Sequence, residues 1–115
     1  MRTLIKNKLF NDLSEYNDRE LYTLIAVRSG GMNSIRIIDE ILIKPKNANQ
    51  IANILNLDYK TVTYHLEIIC NHDYLIKEKF NNNYSYFPSD KLIKNLDEYY
   101  RIKESIKKED LENEK

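Results

Sequence analysis

The stretch from Asn47 to Ile76, NANQIANILNLDYKTVTYHLEIICNHDYLI, leaves this chain few ways to fold. Asn47 stands where a helix N-cap belongs, and Gln50 follows at the spacing of a capping box. Ile51, Ile54 and Leu55 then fall on one helical face. A tight Asn-Leu-Asp turn leads to Asp58, a second N-cap, and to a second helix whose Val62, Leu66 and Ile69 form a core-facing stripe. At roughly 100° per residue the opposite side carries Lys60, Tyr64, Glu67 and Asn71, with Thr61 and Thr63 to either side. One helix that packs, followed by one that presents a long-armed polar face, is a helix-turn-helix arrangement. The same pattern also fits an ordinary helical hairpin with a solvated face.

Upstream, Leu4, Ile5, Leu9, Phe10 and Leu13 suggest a short amphipathic helix, ended by the polar run Asn11 to Arg19. Leu21 to Val27 is apolar and fits a helix face or a strand; we adopt the helix, as a cover for the core or as a dimer contact. Gly30-Gly31, the chain's only glycines, mark a break, after which Asn33 or Ser34 can cap a helix. Ile35, Ile38 and Leu42 form its core stripe, Ile37 and Ile41 widen it, and Lys44-Pro45 stops it.

Downstream, Asp73 takes the turn after the second motif helix, a position that asks for left-handed backbone. Tyr74 to Phe80 and Tyr84 to Phe87 read as strands joined by a turn at Asn81-Asn82-Asn83. Lys77, Lys79 and Asn82 on this hairpin can reach phosphate or a minor groove, although a hairpin that merely closes the core is the plainer alternative. Ser89 caps a last helix, on which Leu92, Leu96, Tyr99, Ile102 and Ile106 form a stripe. That stripe either folds back on the chain or pairs with a second copy; dimerisation is the expectation adopted.

The run LNLDYKTVTYHLEII resembles the second and third helices of winged helix-turn-helix regulators of the ArsR-like superfamily, archaeal members above all. The recurring pattern is Leu-Ser/Asp-x-x-Thr-Val-x-x-His-Leu, here Leu57, Asp58, Thr61, Val62, His65 and Leu66. Arg28-Ser-Gly-Gly and Pro45-Lys-Asn-Ala-Asn-Gln resemble the same group, so the likeness spans about residues 28 to 90. Those relatives have Gly where Asp73 stands. The resemblance implies a mainly α fold with a small β-hairpin: residues 1–30 as an N-terminal segment, 31–88 as a winged helix-turn-helix domain and 89–115 as a dimerising C-terminal helix. It further implies a homodimeric, sequence-specific regulator of transcription, with the helix at about 58–72 in the major groove of duplex DNA and the wing at 77–86 on the backbone. The expected contacts are Tyr59, Lys60, Thr61, Thr63, Tyr64, Asn71, Lys77, Lys79 and Asn82. A winged-helix module that binds protein without DNA is the alternative.

Charge bears on that choice. The chain has 18 Lys plus Arg against 18 Asp plus Glu, a formal net charge of zero. Between residues 57 and 86, Lys60, Lys77 and Lys79 face Asp58, Glu67, Asp73 and Glu78. DNA binding requires local positive charge, so this balance favours the protein-binding alternative. The 115 residues suit one domain with a modest core. One cysteine, Cys70, excludes an intramolecular disulfide and fits a reducing cytoplasm. No signal peptide or membrane-spanning run is expected. Cys70, His65 and His72 are too few and too scattered for structural zinc, so no metal or other cofactor is expected. Without a phosphate-cradling loop or nucleophile elbow, no catalytic residue or enzymatic activity is expected either. Nothing in the sequence identifies a small-molecule effector.

Overall fold

The computed structural model describes residues 17–113, so the expected helix over Leu4 to Leu13 lies outside the described residues. The described chain begins with a helical turn, α1 (Arg19–Tyr22), that widens into a π-helical turn over Thr23–Val27. The helical reading of Leu21 to Val27 therefore holds. Asp18 caps α1, its Oδ1 accepting from the Leu21 amide at 3.0 Å and from the Tyr74 hydroxyl at 2.7 Å. Leu21, Tyr22, Leu24 and Ile25 are buried, whereas Val27 is exposed.

Helix α2 (Gly31–Ile43) has its cap at Gly30, three residues before Asn33 and four before Ser34, the two caps considered from sequence. Gly30 is the N-cap at φ +83°, and neither Asn33 nor Ser34 caps. Both glycines are sterically required. A Cβ on Gly31 would lie 1.8 Å from the Ile25 carbonyl oxygen, and one on Gly30 would lie 2.9 Å from the His65 ring. Ile35, Ile37, Ile38 and Ile41 are buried, while Leu42 packs at the margin of the core.

Helix α3 (Ala48–Leu55) opens with the full capping box: Asn47 Oδ1 accepts from the Gln50 amide at 2.8 Å, and Gln50 Oε1 accepts from the Asn47 amide at 2.9 Å. Its packed face is Ala48, Ile51, Ala52 and Leu55. Ile54, expected on that face, is 53 % exposed; it lies roughly 110° round from the centre of the stripe at 100° per residue. Asn56 in left-handed geometry ends α3. Asp58 then caps α4 (Tyr59–Asn71), whose Val62, Leu66 and Ile69 are wholly buried.

Asp73, at φ +66°, turns the chain into β1 (Leu75–Phe80), which pairs antiparallel with β2 (Asn83–Pro88). The register runs from Leu75 opposite Pro88 to Phe80 opposite Asn83, so the loop is only Asn81-Asn82. Both loop residues have positive φ, the two-residue turn whose twist suits a hairpin. Asn83 therefore belongs to the strand rather than the turn, and Tyr74 stands just before β1, fully buried. The Tyr86 amide donates to the Lys46 carbonyl at 2.9 Å, fastening the hairpin to the entry of α3.

Ser89 caps α5 (Asp90–Lys94), its Oγ accepting from the Leu92 amide at 3.1 Å. The single last helix expected from sequence is interrupted at Asn95, whose amide bonds Leu92 O in a tightened turn before α6 (Leu96–Asn113) begins. Leu92, Tyr99 and Ile102 are fully buried in the chain's own core, and Leu96 and Ile106 pack at its edge. The Tyr99 hydroxyl donates to Asp39 Oδ1 at 2.7 Å, and Lys103 pairs with Asp39 Oδ2 at 2.7 Å, which ties α6 to α2.

A polar contact joins the N-terminal segment to α4. Arg28 Nη2 donates to Ser34 Oγ at 2.5 Å and to His65 Nδ1 at 3.1 Å. His65 is only 4 % exposed. As an acceptor at Nδ1 it is neutral, with its proton on Nε2. Burial, reinforced by the Arg28 charge, pushes the His65 pKa below its ordinary 6.5. Between those values the unfolded chain binds a proton that the folded chain refuses, so stability is complete above about pH 6.5 and falls as the pH drops below it. Urea unfolding measured from about pH 8 to pH 5 should show that loss. His65→Asn, which keeps an acceptor near Nδ1 and cannot titrate, should abolish most of it above the carboxylate range.

Candidate nucleic-acid interface

Three fixed pieces of backbone enclose a groove of about 600 Å³: the entry of α3, one side of α4 and the inner face of the hairpin. The burial of Val62, Leu66 and Ile69 sets which side of α4 faces it. Tyr59, Thr63, Glu67 and Asn71 succeed one another at intervals of four residues and all line the groove, with Cys70 beside them. The hairpin supplies Lys77, Asn82, Asn83, Tyr84 and Tyr86, and the α3 entry supplies Asn47, Ala48 and Asn49.

Strand alternation explains the hairpin's contribution. Leu75, Lys77 and Lys79 share a face with Pro88, Tyr86 and Tyr84. Leu75 and Tyr86 are buried at the core end, and Lys77 and Tyr84 continue the same face into the groove. Lys77 Nζ sits 4.2 Å from the centre of the Tyr84 ring, and Lys79 Nζ sits 6.0 Å from it. A cation held over an aromatic face is pre-positioned at modest energetic gain.

Of the nine side chains expected at a DNA surface, Tyr59, Thr63, Asn71, Lys77 and Asn82 are brought together in this groove. Lys60 and Tyr64 are exposed but stand on the adjoining outer face of α4, Tyr64 edge-on to His65 at 5.2 Å. Thr61 is half-buried beside them, and Lys79 lies on the exposed hairpin outside the groove lining. The contacts expected from sequence did not include Asn47, Asn49, Glu67, Tyr84 and Tyr86, although Glu67 was placed on the polar face of the helix and Asn47 at its neighbour's cap. The row through Glu67 was legible from its four-residue spacing; the approach of Asn47 and Asn49 to the hairpin depends on the Lys46–Tyr86 bridge, which has no local signature.

The groove is close to neutral, since Lys77 and Glu67 are the ionised side chains that line it. Its remaining chemistry consists of amides, phenols and a hydroxyl, groups that donate to and accept from either bases or phosphate. The N-terminus of α3 opens at its wall, and a helix start favours an anion. Burial pushes the Tyr86 phenol and the Cys70 thiol above their ordinary pKa values. No group of His, Cys, Asp and Glu able to hold a metal forms among the described residues, and none of their helices is long and apolar enough to cross a membrane.

No protein-family model matches this sequence, and no curated protein matches it significantly. Solved structures do share its fold. One is a MarR transcriptional regulator from Methanosarcina mazei Go1, with TM-score 0.63 and 14% identity over 90% of this chain and 72% of that one. Another is a MarR-like transcriptional regulator from Thermotoga maritima, with TM-score 0.55 and 20% identity over 96% of this chain and 77% of that one. The fold is therefore winged-helix-like: mainly helical, with a two-stranded antiparallel hairpin and a C-terminal helix.

The half-buried Cys70 provides a check on the groove wall. A thiol with a raised pKa offers less thiolate at a given pH, so iodoacetamide at about pH 8 should alkylate Cys70 more slowly than a free cysteine, with urea restoring the full rate. Reaction at the free-cysteine rate in buffer would show that this wall stands open.

Proposed function

We propose that this chain is a sequence-specific duplex-DNA-binding regulator of transcription that works as a homodimer. In this reading α4 enters the major groove, the hairpin follows the adjacent backbone, and two such surfaces read a nearly palindromic site with half-sites roughly 34–36 Å apart. The observation that carries it is the convergence of Tyr59, Thr63, Asn71, Lys77 and Asn82 on one groove between a polar helix face and a wing. The ArsR-like resemblance in sequence and the likeness of fold to two proteins described as MarR regulators support the same class. Lys60 and Tyr64, exposed on the outer face of α4, are the proposed leading contacts with bases, while Lys77 and Lys79 serve phosphate. Because Leu92, Tyr99 and Ile102 are occupied within the chain, a dimer contact along α5 and α6 falls to Leu96, Ile106 and the exposed Ile93 and Tyr100.

One observation favours the second reading, a winged-helix module that binds protein: the near neutrality of the groove. Salt separates the two. Three lysines near the surface, Lys60, Lys77 and Lys79, predict a log–log salt slope of about −3 per protomer. The experiment is selection from a random-sequence duplex library at low and moderate salt, with Lys60→Ala/Tyr64→Ala alongside. Enrichment of a short inverted repeat, lost in the double variant, is the expected result. Lys79→Ala should weaken every duplex alike and flatten the slope by about one. Failure to bind any duplex at low salt would favour the protein-binding module, and a complex holding one protomer per selected duplex, measured by light scattering, would exclude the palindromic geometry.

A further inference from the structure

Among the described residues, Glu67 is the one acidic side chain in the lining of the groove. It is exposed, and no ion pair to it forms among the described residues, although other carboxylates do pair: Glu20 with Lys91, Glu40 with Lys46, Asp39 with Lys103 and Glu98 with Arg101. Its place on α4 is fixed by the buried Val62, Leu66 and Ile69. Thr63 and Asn71 flank it one turn away on either side, roughly 6 Å along the axis. It is also close enough to Tyr86, across the groove on β2, for its charge to help keep that phenol protonated.

An unpaired carboxylate at this point works against the phosphate attraction on which nonspecific binding depends. It makes no favourable contact with a phosphate, and it cannot donate to a base acceptor such as guanine O6 or N7. What it can accept from, at the edge of a base pair in the major groove, is an exocyclic amino group. We propose that Glu67 is a specificity-determining residue of the duplex interface, accepting a hydrogen bond from cytosine N4 or adenine N6 and disfavouring every register that sets it against phosphate. This rests on the duplex-reading function proposed above and adds to it a residue and a class of base contact. Net neutrality then has a role: the carboxylate lowers affinity for all sequences and returns part of the loss at sites that present an amino group.

The test takes the duplex enriched by the wild-type chain and a scrambled duplex of the same composition. Wild type, Glu67→Gln and Glu67→Ala are titrated on both. Because Glu67 is exposed, both variants should fold, which circular dichroism checks. Glu67→Ala should bind the scrambled duplex severalfold more tightly and lose about 5- to 150-fold in discrimination between the two. The amino group is then deleted one position at a time, with 2-pyrimidinone for cytosine or purine for adenine. One deletion should weaken the wild type and leave Glu67→Ala unaffected, and the analogue that does so identifies the base. Variants that gain equally on both duplexes, or analogues that affect wild type and Glu67→Ala alike, would reduce Glu67 to general repulsion and overturn the proposal while leaving DNA reading intact. A wild-type chain that enriches no duplex would remove the duplex-reading function and this proposal with it.

Discussion

Val62, Leu66 and Ile69 are wholly removed from solvent, and their burial fixes the rotation of α4 about its own axis. Each such side chain contributes about 1.5–3 kcal/mol of transfer free energy, far more than any single surface contact on this helix. Hydrogen bonds of the polar face cannot compete with that sum, so the outward set is whatever the buried set leaves. His65 belongs to the buried set and is held from the far side by Arg28, which follows the π-helical turn. The turn, the glycine pair and α4 therefore form one mechanical unit. A residue larger than Gly at position 30 would press on His65, and one at position 31 would collide with the Ile25 carbonyl.

Once α4 is fixed, the electrostatics of the surface follow from where the cations lie. Several basic side chains are engaged within the chain. Lys46, Lys91 and Lys103 pair with carboxylates, Arg36 donates to the Leu55 carbonyl at 2.8 Å, and Arg28 is held by Ser34 and His65. Lys60, Lys77 and Lys79 remain near the proposed interface, with Glu67 among them. Three phosphates neutralised per protomer give weak attachment at moderate salt. In the proposed role, useful affinity must come from base contacts and from doubling the site, since a linked second site acts at high effective concentration. If the chain reads duplex DNA as proposed, so neutral a groove makes a second, linked copy the natural source of the missing affinity.

Much of this architecture was legible because it is written in local chemistry. Asn47 and Gln50, Asp58, and Ser89 declare three helix starts by capping geometry that needs no tertiary partner. Asp73 and the asparagine turn declare left-handed backbone, where Asp and Asn are tolerated better than most residues. The misreadings arose where packing overrules local preference. Gly30, not Asn33 or Ser34, caps α2 with left-handed backbone, and Gly31 in its first turn leaves room for the Ile25 carbonyl. Ile54 stayed exposed because two small residues, Ala48 and Ala52, define the packed face of so short a helix. The groove residues split in the same way. The row from Tyr59 to Asn71 is a matter of spacing, whereas Asn47 and Asn49 join it through a single strand bridge far away in sequence.

The C-terminal stripe packs first against the chain's own core. Leu92, Leu96, Tyr99, Ile102 and Ile106 recur at helical spacing, and on sequence alone such a face can serve a partner or the chain's own core. The break at Asn95 lets α5 and α6 each settle against the core, and Tyr99 is secured to α2 by its hydroxyl bond to Asp39. Beyond Ile106 the chain reads KKEDLENEK, with Leu111 its only apolar residue. The stripe on α6 therefore reaches the edge of the core at Ile106. A homodimer built along this helix would rest on the margins of the stripe rather than its centre. Margins of that kind, half-covered by each protomer's own side chains, favour a polar and readily dissociated contact over a core-like one. In such a dimer, half-site spacing on the duplex would depend less on a rigid interface than on where the DNA itself holds the two copies of α4.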